Sequence, residues 1–224
     1  MATIANFIKE NSIENLNIKN TLMVNPFKKY KPLDQGNKKL NENIFSFSLI
    51  PVATCGTECK GCYDLRSLRY PSVQMKRKYN TWLAINNKTF LKNAIINQIT
   101  KSKKVEFVRI HVGGDFFSLD YVAMWGEICQ TVLALKPDVK FYTYTKSKFS
   151  DEISMGGINV VESTIKGLGY NFAKKERLDK FVAKKGNEDY TICPDTVKET
   201  TANTKCGVTC TACMTTKKVL FVAH

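Results

Sequence analysis

Apolar residues follow two rhythms along this chain. In NIFSFSLIPVA (43–53) they alternate with polar ones and are largely β-branched or aromatic, which predicts a strand. VEFVRIHV (105–112) and VKFYTYT (139–145) predict two more strands, and INVVEST (158–164) a fourth. Between them the period lengthens. In TFLKNAIINQITK (89–101), Phe90, Leu91, Ala94, Ile95 and Gln98 fall on or near one helical face. SLDYVAMWGEICQTVLALKP (118–137) predicts a longer helix, with Ser118 as its cap, Asp120 in its first turn and Lys136-Pro137 at its end. Val122, Trp125, Cys129 and Val132 share one apolar face there, so Cys129 reads as a core residue. FAKKERLDKFVAKKG (172–186) predicts a helix that closes in lysines and a C-cap glycine.

Strands alternating with helices imply βαβ units, a parallel sheet and an α/β fold. We divide the chain into a peripheral segment (1–43), an α/β core (44–185) and a cysteine-rich C-terminal tail (186–224). Ile4, Phe7 and Ile8 are suited to cover a core edge, while Pro26, Pro32 and Gly36 break the basic stretch that follows. In parallel α/β folds ligands bind at the carboxyl ends of the strands. Both CGTECKGC (55–62) and GGD (113–115) come just after predicted strands, so the two should meet on one rim.

Composition narrows the classes. The 224 residues are 43% hydrophobic and 24% charged, ordinary for a globular chain. No apolar run is long enough to span a bilayer, and the first residues lack the pattern of a secretory signal. The expectation is a cytoplasmic protein without a membrane partner. A net charge of +14 suits nucleic acid or another polyanionic macromolecule.

Eight cysteines in such a chain point to metal rather than disulfides. Cys55, Cys59 and Cys62 are spaced C-x3-C-x2-C, and Cys206, Cys210 and Cys213 repeat that spacing. Histidine is scarce: His111 and His224 are the only two. A [4Fe–4S] cube held by three thiolates leaves one iron open. Cys193, 13 residues before Cys206, can complete a four-thiolate second site, for an auxiliary [4Fe–4S] cluster or for structural zinc. Arg109 and His111 alternate on a strand whose other face is Val108, Ile110 and Val112. Two polar side chains there suggest a ligand-filled interior, with Arg109 to pair a carboxylate and His111 to act as acid or base.

The three-cysteine loop after a first strand resembles the radical S-adenosylmethionine (radical SAM) superfamily. That resemblance implies a short, partial (β/α) barrel. Cys55, Cys59 and Cys62 would hold the cluster, whose open iron binds the methionine moiety of S-adenosylmethionine. Gly113, Gly114 and Asp115 match the family's GGE motif, which receives the methionine amine. The implied reaction is one-electron reductive cleavage of S-adenosylmethionine, fed by an electron donor, with hydrogen abstraction from a substrate. Two positions depart from the pattern: Gly61 replaces an aromatic residue, and Asp115 is shorter than glutamate. The chain as a whole also resembles a family of phage and plasmid proteins called gene product eighty-eight, through CGTECKGCY, GGDF, TYTKS, the late cysteines and the terminal FVAH. The rival reading is a non-catalytic basic iron–sulfur or zinc protein that binds nucleic acid or a phage partner. A third is a cluster protein that has lost S-adenosylmethionine binding and does electron transfer or other cluster chemistry.

Overall fold

Four parallel strands lie side by side in chain order, and this order places everything else. A computed structural model describes residues 2–18, 25–37, 40–55, 62–166, 168–197 and 204–222. Two short helices, α1 (Ala2–Glu10) and α2 (Ile13–Ile18), precede an edge strand β1 (Asp34–Gln35). The parallel strands are β2 (Ile44–Ser46), β3 (Phe107–Ile110), β4 (Lys140–Thr145) and β5 (Ile158–Glu162). The sheet order is β1-β2-β3-β4-β5, and only β1 runs antiparallel to its neighbour. Helices α3 (Pro71–Asn86) and α4 (Lys88–Lys101) connect β2 to β3. Helix α5 (Leu119–Leu135) connects β3 to β4, and α6 (Ser150–Met155) connects β4 to β5. The protein is therefore a mixed α/β fold built on a largely parallel sheet.

The two faces of the sheet have different covers. Phe45, Val108, Ile110, Phe141, Ile158 and Val160 pack into the main core with Leu91, Ile95, Ile99, Trp125, Ile128 and Val132 of the helices. Cys129 lies in that core, as its helical spacing predicts. Ser118 caps α5 by accepting from the Tyr121 amide, and Lys136 follows its last turn. The opposite face, with Ile44, Phe107, Tyr142, Tyr144 and Val161, has no helical layer of that kind among the described residues. Cys193, Cys206, Cys213, Met214 and Val219 of the C-terminal segment pack there instead.

That segment has its own small framework. Strands β6 (Thr164–Ile165) and β7 (Gly169–Tyr170) form a ribbon. Strands β8 (Phe172–Ala173) and β9 (Thr191–Ile192) flank the last strand β10 (Val219–Val222), with helix α7 (Lys175–Val182) between β8 and β9 in the chain. Leu220 packs with Leu168, Leu178 and Phe181, so this second core joins residues on both sides of the 185/186 boundary. A short helix α8 (Ala212–Thr215) carries Cys213 and Met214. Three asparagine amides fix the segment to its surroundings by donating to its backbone carbonyls. Asn43 donates to Gly207 at 2.8 Å, Asn159 to Cys213 and Thr216 at 3.0 Å each, and Asn171 to Val219 at 2.8 Å. Each bond satisfies a carbonyl that burial would otherwise strand.

Candidate metal centre at the rim of the parallel sheet

The first cysteine loop is fastened at both ends to the turn after β3. On its approach, Leu49 donates its amide to the Gly113 carbonyl at 2.9 Å. Thr54 Oγ1 donates to Ile50 O at 2.9 Å and accepts the Asp115 amide at 3.3 Å. On its exit, Tyr63 Oη donates to Val112 O at 2.5 Å. Asp64 then lies against Gly113 so closely that a Cβ on that glycine would overlap its carboxylate. Arg77 of α3 holds Asp64 by a bidentate ion pair, with Nη1 on Oδ2 and Nη2 on Oδ1 at 3.0 Å. Both partners are buried, with side chains only 8% and 6% exposed. Gly114 has φ +80°, and a Cβ there would stand 2.5 Å from Thr54 Oγ1 and 2.7 Å from Leu49 Cβ. The GGD turn needs glycine for both reasons: conformation at Gly114 and space at both positions. Cys55 and Cys62 are half-buried beside it; Cys59 lies outside the described residues.

Among the described residues two non-glycine residues adopt left-handed backbone, one ahead of the cysteine loop and one ahead of the GGD turn. Val52, at φ 70°, precedes the first cysteine, and His111, at φ 60°, precedes Val112-Gly113. Such conformations cost about 1–3 kcal/mol each and tend to collect at functional sites. At His111 the effect overturns a sequence expectation. Simple alternation would put it on the face of Arg109. The left-handed residue turns it to the helical face, where Phe116 meets it edge-on at 4.4 Å and Tyr121 Oη lies 2.9 Å from Nε2. Its Nδ1 has no partner among the described residues, and burial pushes the imidazole down to about 3.

His111 therefore makes a pH prediction. Its folded pKa is about 3 against an ordinary 6.5, so between those values the unfolded chain takes up a proton that the folded chain excludes. Stability is present above pH 6.5 and is lost as pH falls, by about 1.4 kcal/mol per unit from this group. Asn tolerates left-handed backbone and does not titrate. Denaturation of wild type and His111→Asn across pH 4–7 should give curves whose difference carries this slope; parallel curves would refute it.

Arg109 remains on the other face, between the two cysteine segments. Its guanidinium lies 4.8 Å from the Tyr144 ring centre. Burial opposes its charge, but the phenols of Tyr144, Tyr63 and Tyr142 and the thiol of Cys213 around it hold its pKa above the ordinary value. Its buried Nε has no hydrogen-bond partner among the described residues. Asp115, by contrast, is engaged within the protein. Its carboxylate accepts from the Phe116 amide (2.8 Å), Thr145 Oγ1 (2.6 Å) and the Lys146 amide (3.0 Å), which ties the turn to the end of β4. Burial raises its pKa, and these hydrogen bonds oppose the rise.

Two of the late cysteines, Cys206 and Cys213, lie within electrostatic reach of Arg109. Cys206 pairs with Leu40 and Cys210 as isolated β-bridges, and Tyr144 hydrogen-bonds Cys213. Burial is the main cause of raised thiol pKa values, to about 11 at Cys206 and about 12 at Cys213. Further elevation comes from the Asp195 carboxylate at Cys193 and Cys206 and from the other cysteines of the set, so the late cysteines lie within electrostatic reach of one another. Gly207, at φ +83°, gives this loop its turn against Asn43 and Ile44. Among the described residues no three His, Cys, Asp or Glu side chains close on a common point tightly enough to enclose a metal ion. The donor set suits a thiophilic metal or an iron–sulfur cluster. Thiolates are good ligands for both, and the orphaned Arg109 N–H is suited to meet their charge.

A family profile described as gene product 88 matches residues 25–219, most of the chain. The chain belongs to the gene product 88 family. The match spans the three-cysteine loop, the GGD turn and all four late cysteines. A curated relative, the gene 88 protein of Mycobacterium phage L5, is 39% identical over 51 residues. That stretch covers 23% of this chain and 20% of the relative. No solved structure matches. No helix among the described residues is long and apolar enough to cross a membrane.

Sequence reasoning missed Asp64, Arg77 and the three tail-fastening asparagines. Asp64 and Arg77 stand 13 residues apart with no motif between them. The asparagines were lost in an Asn-rich composition.

Proposed function

We propose that this gene product 88 protein carries two iron–sulfur sites on a partial (β/α) barrel, and that the first supports radical SAM-like chemistry on S-adenosylmethionine. One observation carries the reading: the three-cysteine loop is pinned at both ends to the GGD turn at the carboxyl end of β3. Consecutive parallel strands with helices on one face also fit a partial barrel, whose inner face would be that of Arg109, Tyr142 and Tyr144. Cys55, Cys59 and Cys62 would hold the first cluster, which would supply the electron that cleaves S-adenosylmethionine. Cys193, Cys206, Cys210 and Cys213 would hold the second cluster, or zinc.

The remaining roles belong to the chain's own groups. The Gly113-Gly114 turn, packed against Asp64, Thr54 and Leu49, would hold the cysteine loop at the strand end, and Asp115 locks that turn to β4. Arg109 supplies positive charge between the thiolate sets, and His111 supports the turn from the core. An external electron donor is required, and the reaction would run in the host cytoplasm.

The test is anaerobic. Adding S-adenosylmethionine to the reduced, reconstituted protein should change the electron paramagnetic spectrum, and 5′-deoxyadenosine should form slowly. With iron present, no spectral change and no deoxyadenosine would reject radical SAM chemistry and leave an electron-transfer or structural protein.

A further inference from the structure

A groove of about 760 Å³ runs along α4, away from the cysteine segments, and nothing above accounts for it. Its other wall is the 25–35 segment with Phe45 of β2 behind it. Among the described residues Lys29, Lys31 and Lys101 line it, all exposed, and no Asp or Glu does. In a chain of net charge +14 this is a concave cationic surface without internal neutralisation.

The groove also holds a fixed aromatic platform. Phe90 is 44% exposed and stacks on Tyr30, with ring centres 6.1 Å apart and planes 21° from parallel. Tyr30 is itself pinned: its hydroxyl donates to Asn80 Oδ1 at 2.7 Å. Asn80 is buried and donates in turn to Pro32 O and Ser48 O. An exposed aromatic held in a fixed orientation presents a face to a planar partner. Asn93 and Asn97 follow one turn apart along α4, exposed in the same groove, with amides able to pair with base edges.

We infer that this groove binds single-stranded nucleic acid. Lysines would follow the phosphates, Phe90 would stack a base, and the amides would contact base edges. The volume falls in the range of about 300–1,000 Å³ typical of ligand sites, enough for a few nucleotides. The inference is independent of the cluster chemistry proposed above.

The test is fluorescence anisotropy of a labelled oligothymidine, with matching duplex and heparin as competitors and salt as the variable. Wild type should bind the single strand in preference to both. Lys29→Gln/Lys31→Gln/Lys101→Gln should weaken binding and reduce the magnitude of the salt slope by about 2, since each phosphate contact on a single strand contributes about 0.7. Phe90→Ala should weaken binding about 5- to 100-fold while leaving the slope unchanged. Thermal melts of both variants check folding, and Asn93→Ala/Asn97→Ala supplies a milder variant should either unfold. No binding, equal competition by duplex or heparin, or variants that bind like wild type would overturn the assignment.

Discussion

Replacing Gly113 by alanine should lower the unfolding free energy of the metal-free protein by about 3–5 kcal/mol. The added methyl group occupies space already filled by the Asp64 carboxylate, and Arg77 Nη1 stands 3.0 Å away. Neither neighbour is the loose end of an exposed side chain, because the two are locked in a buried ion pair. Overpacking alone costs about 1–3 kcal/mol, and pushing one partner off the other approaches the about 3–5 kcal/mol of a broken buried pair. The functional consequence should be larger than the loss of stability. Asp64 follows Cys62 by two residues, so its displacement frees the exit of the cysteine loop. Gly113→Ala should retain late-cysteine metal and lose that of the first site. Urea denaturation of the apo protein and metal analysis after reconstitution check the two halves. A variant as stable as wild type would show that the Asp64–Gly113 contact does not fasten the loop.

Arg77→Ala should be about as damaging for a different reason. It leaves the Asp64 carboxylate buried without its cation, which costs about 3–5 kcal/mol, whereas removing both charges leaves no such orphan. Asp64→Asn/Arg77→Ala should therefore be more stable than Arg77→Ala alone. This non-additivity is what a double-mutant cycle measures. If the double variant instead loses the sum of the two singles, the pair is not coupled, and Arg77 acts only through its packing.

The parts of this fold that could be read in the sequence are those where periodicity and burial agree. Helix α5 shows its apolar face, its Ser118 cap and its end at Lys136, and the structure follows all three. Strands β3, β4 and β5 lie inside the segments predicted for them. Helix α3 was not legible, because its buried side includes Arg77, Tyr79, Asn80 and Thr81. Arg77, Asn80 and Thr81 serve as ion-pair and hydrogen-bond partners while Tyr79 packs in the core, so no clear hydrophobic period marks the helix. Edge strand β1 hid in a basic loop, being two residues long and exposed.

At the candidate site, the meeting of the cysteine loop and the GGD turn followed from parallel-strand topology alone. The side chains that secure the meeting, Thr54, Tyr63 and Asp64, carry no signature of their own. His111 marks the limit of alternation arguments. One residue of positive φ moves the next polar side chain to the opposite face, and a histidine gives no warning of that in sequence.

The most direct measurement is the iron and acid-labile sulfide content of anaerobically reconstituted full-length protein, beside Cys59→Ser and Cys210→Ser. The account predicts about eight irons and eight sulfides per chain for wild type, as two cubane clusters require, and about four of each for either variant. Zinc at the late-cysteine site would leave four irons in wild type and remove them in Cys59→Ser alone. Stoichiometric zinc with no iron, or iron unaffected by Cys59→Ser, would contradict an iron–sulfur site on the loop that the GGD turn holds.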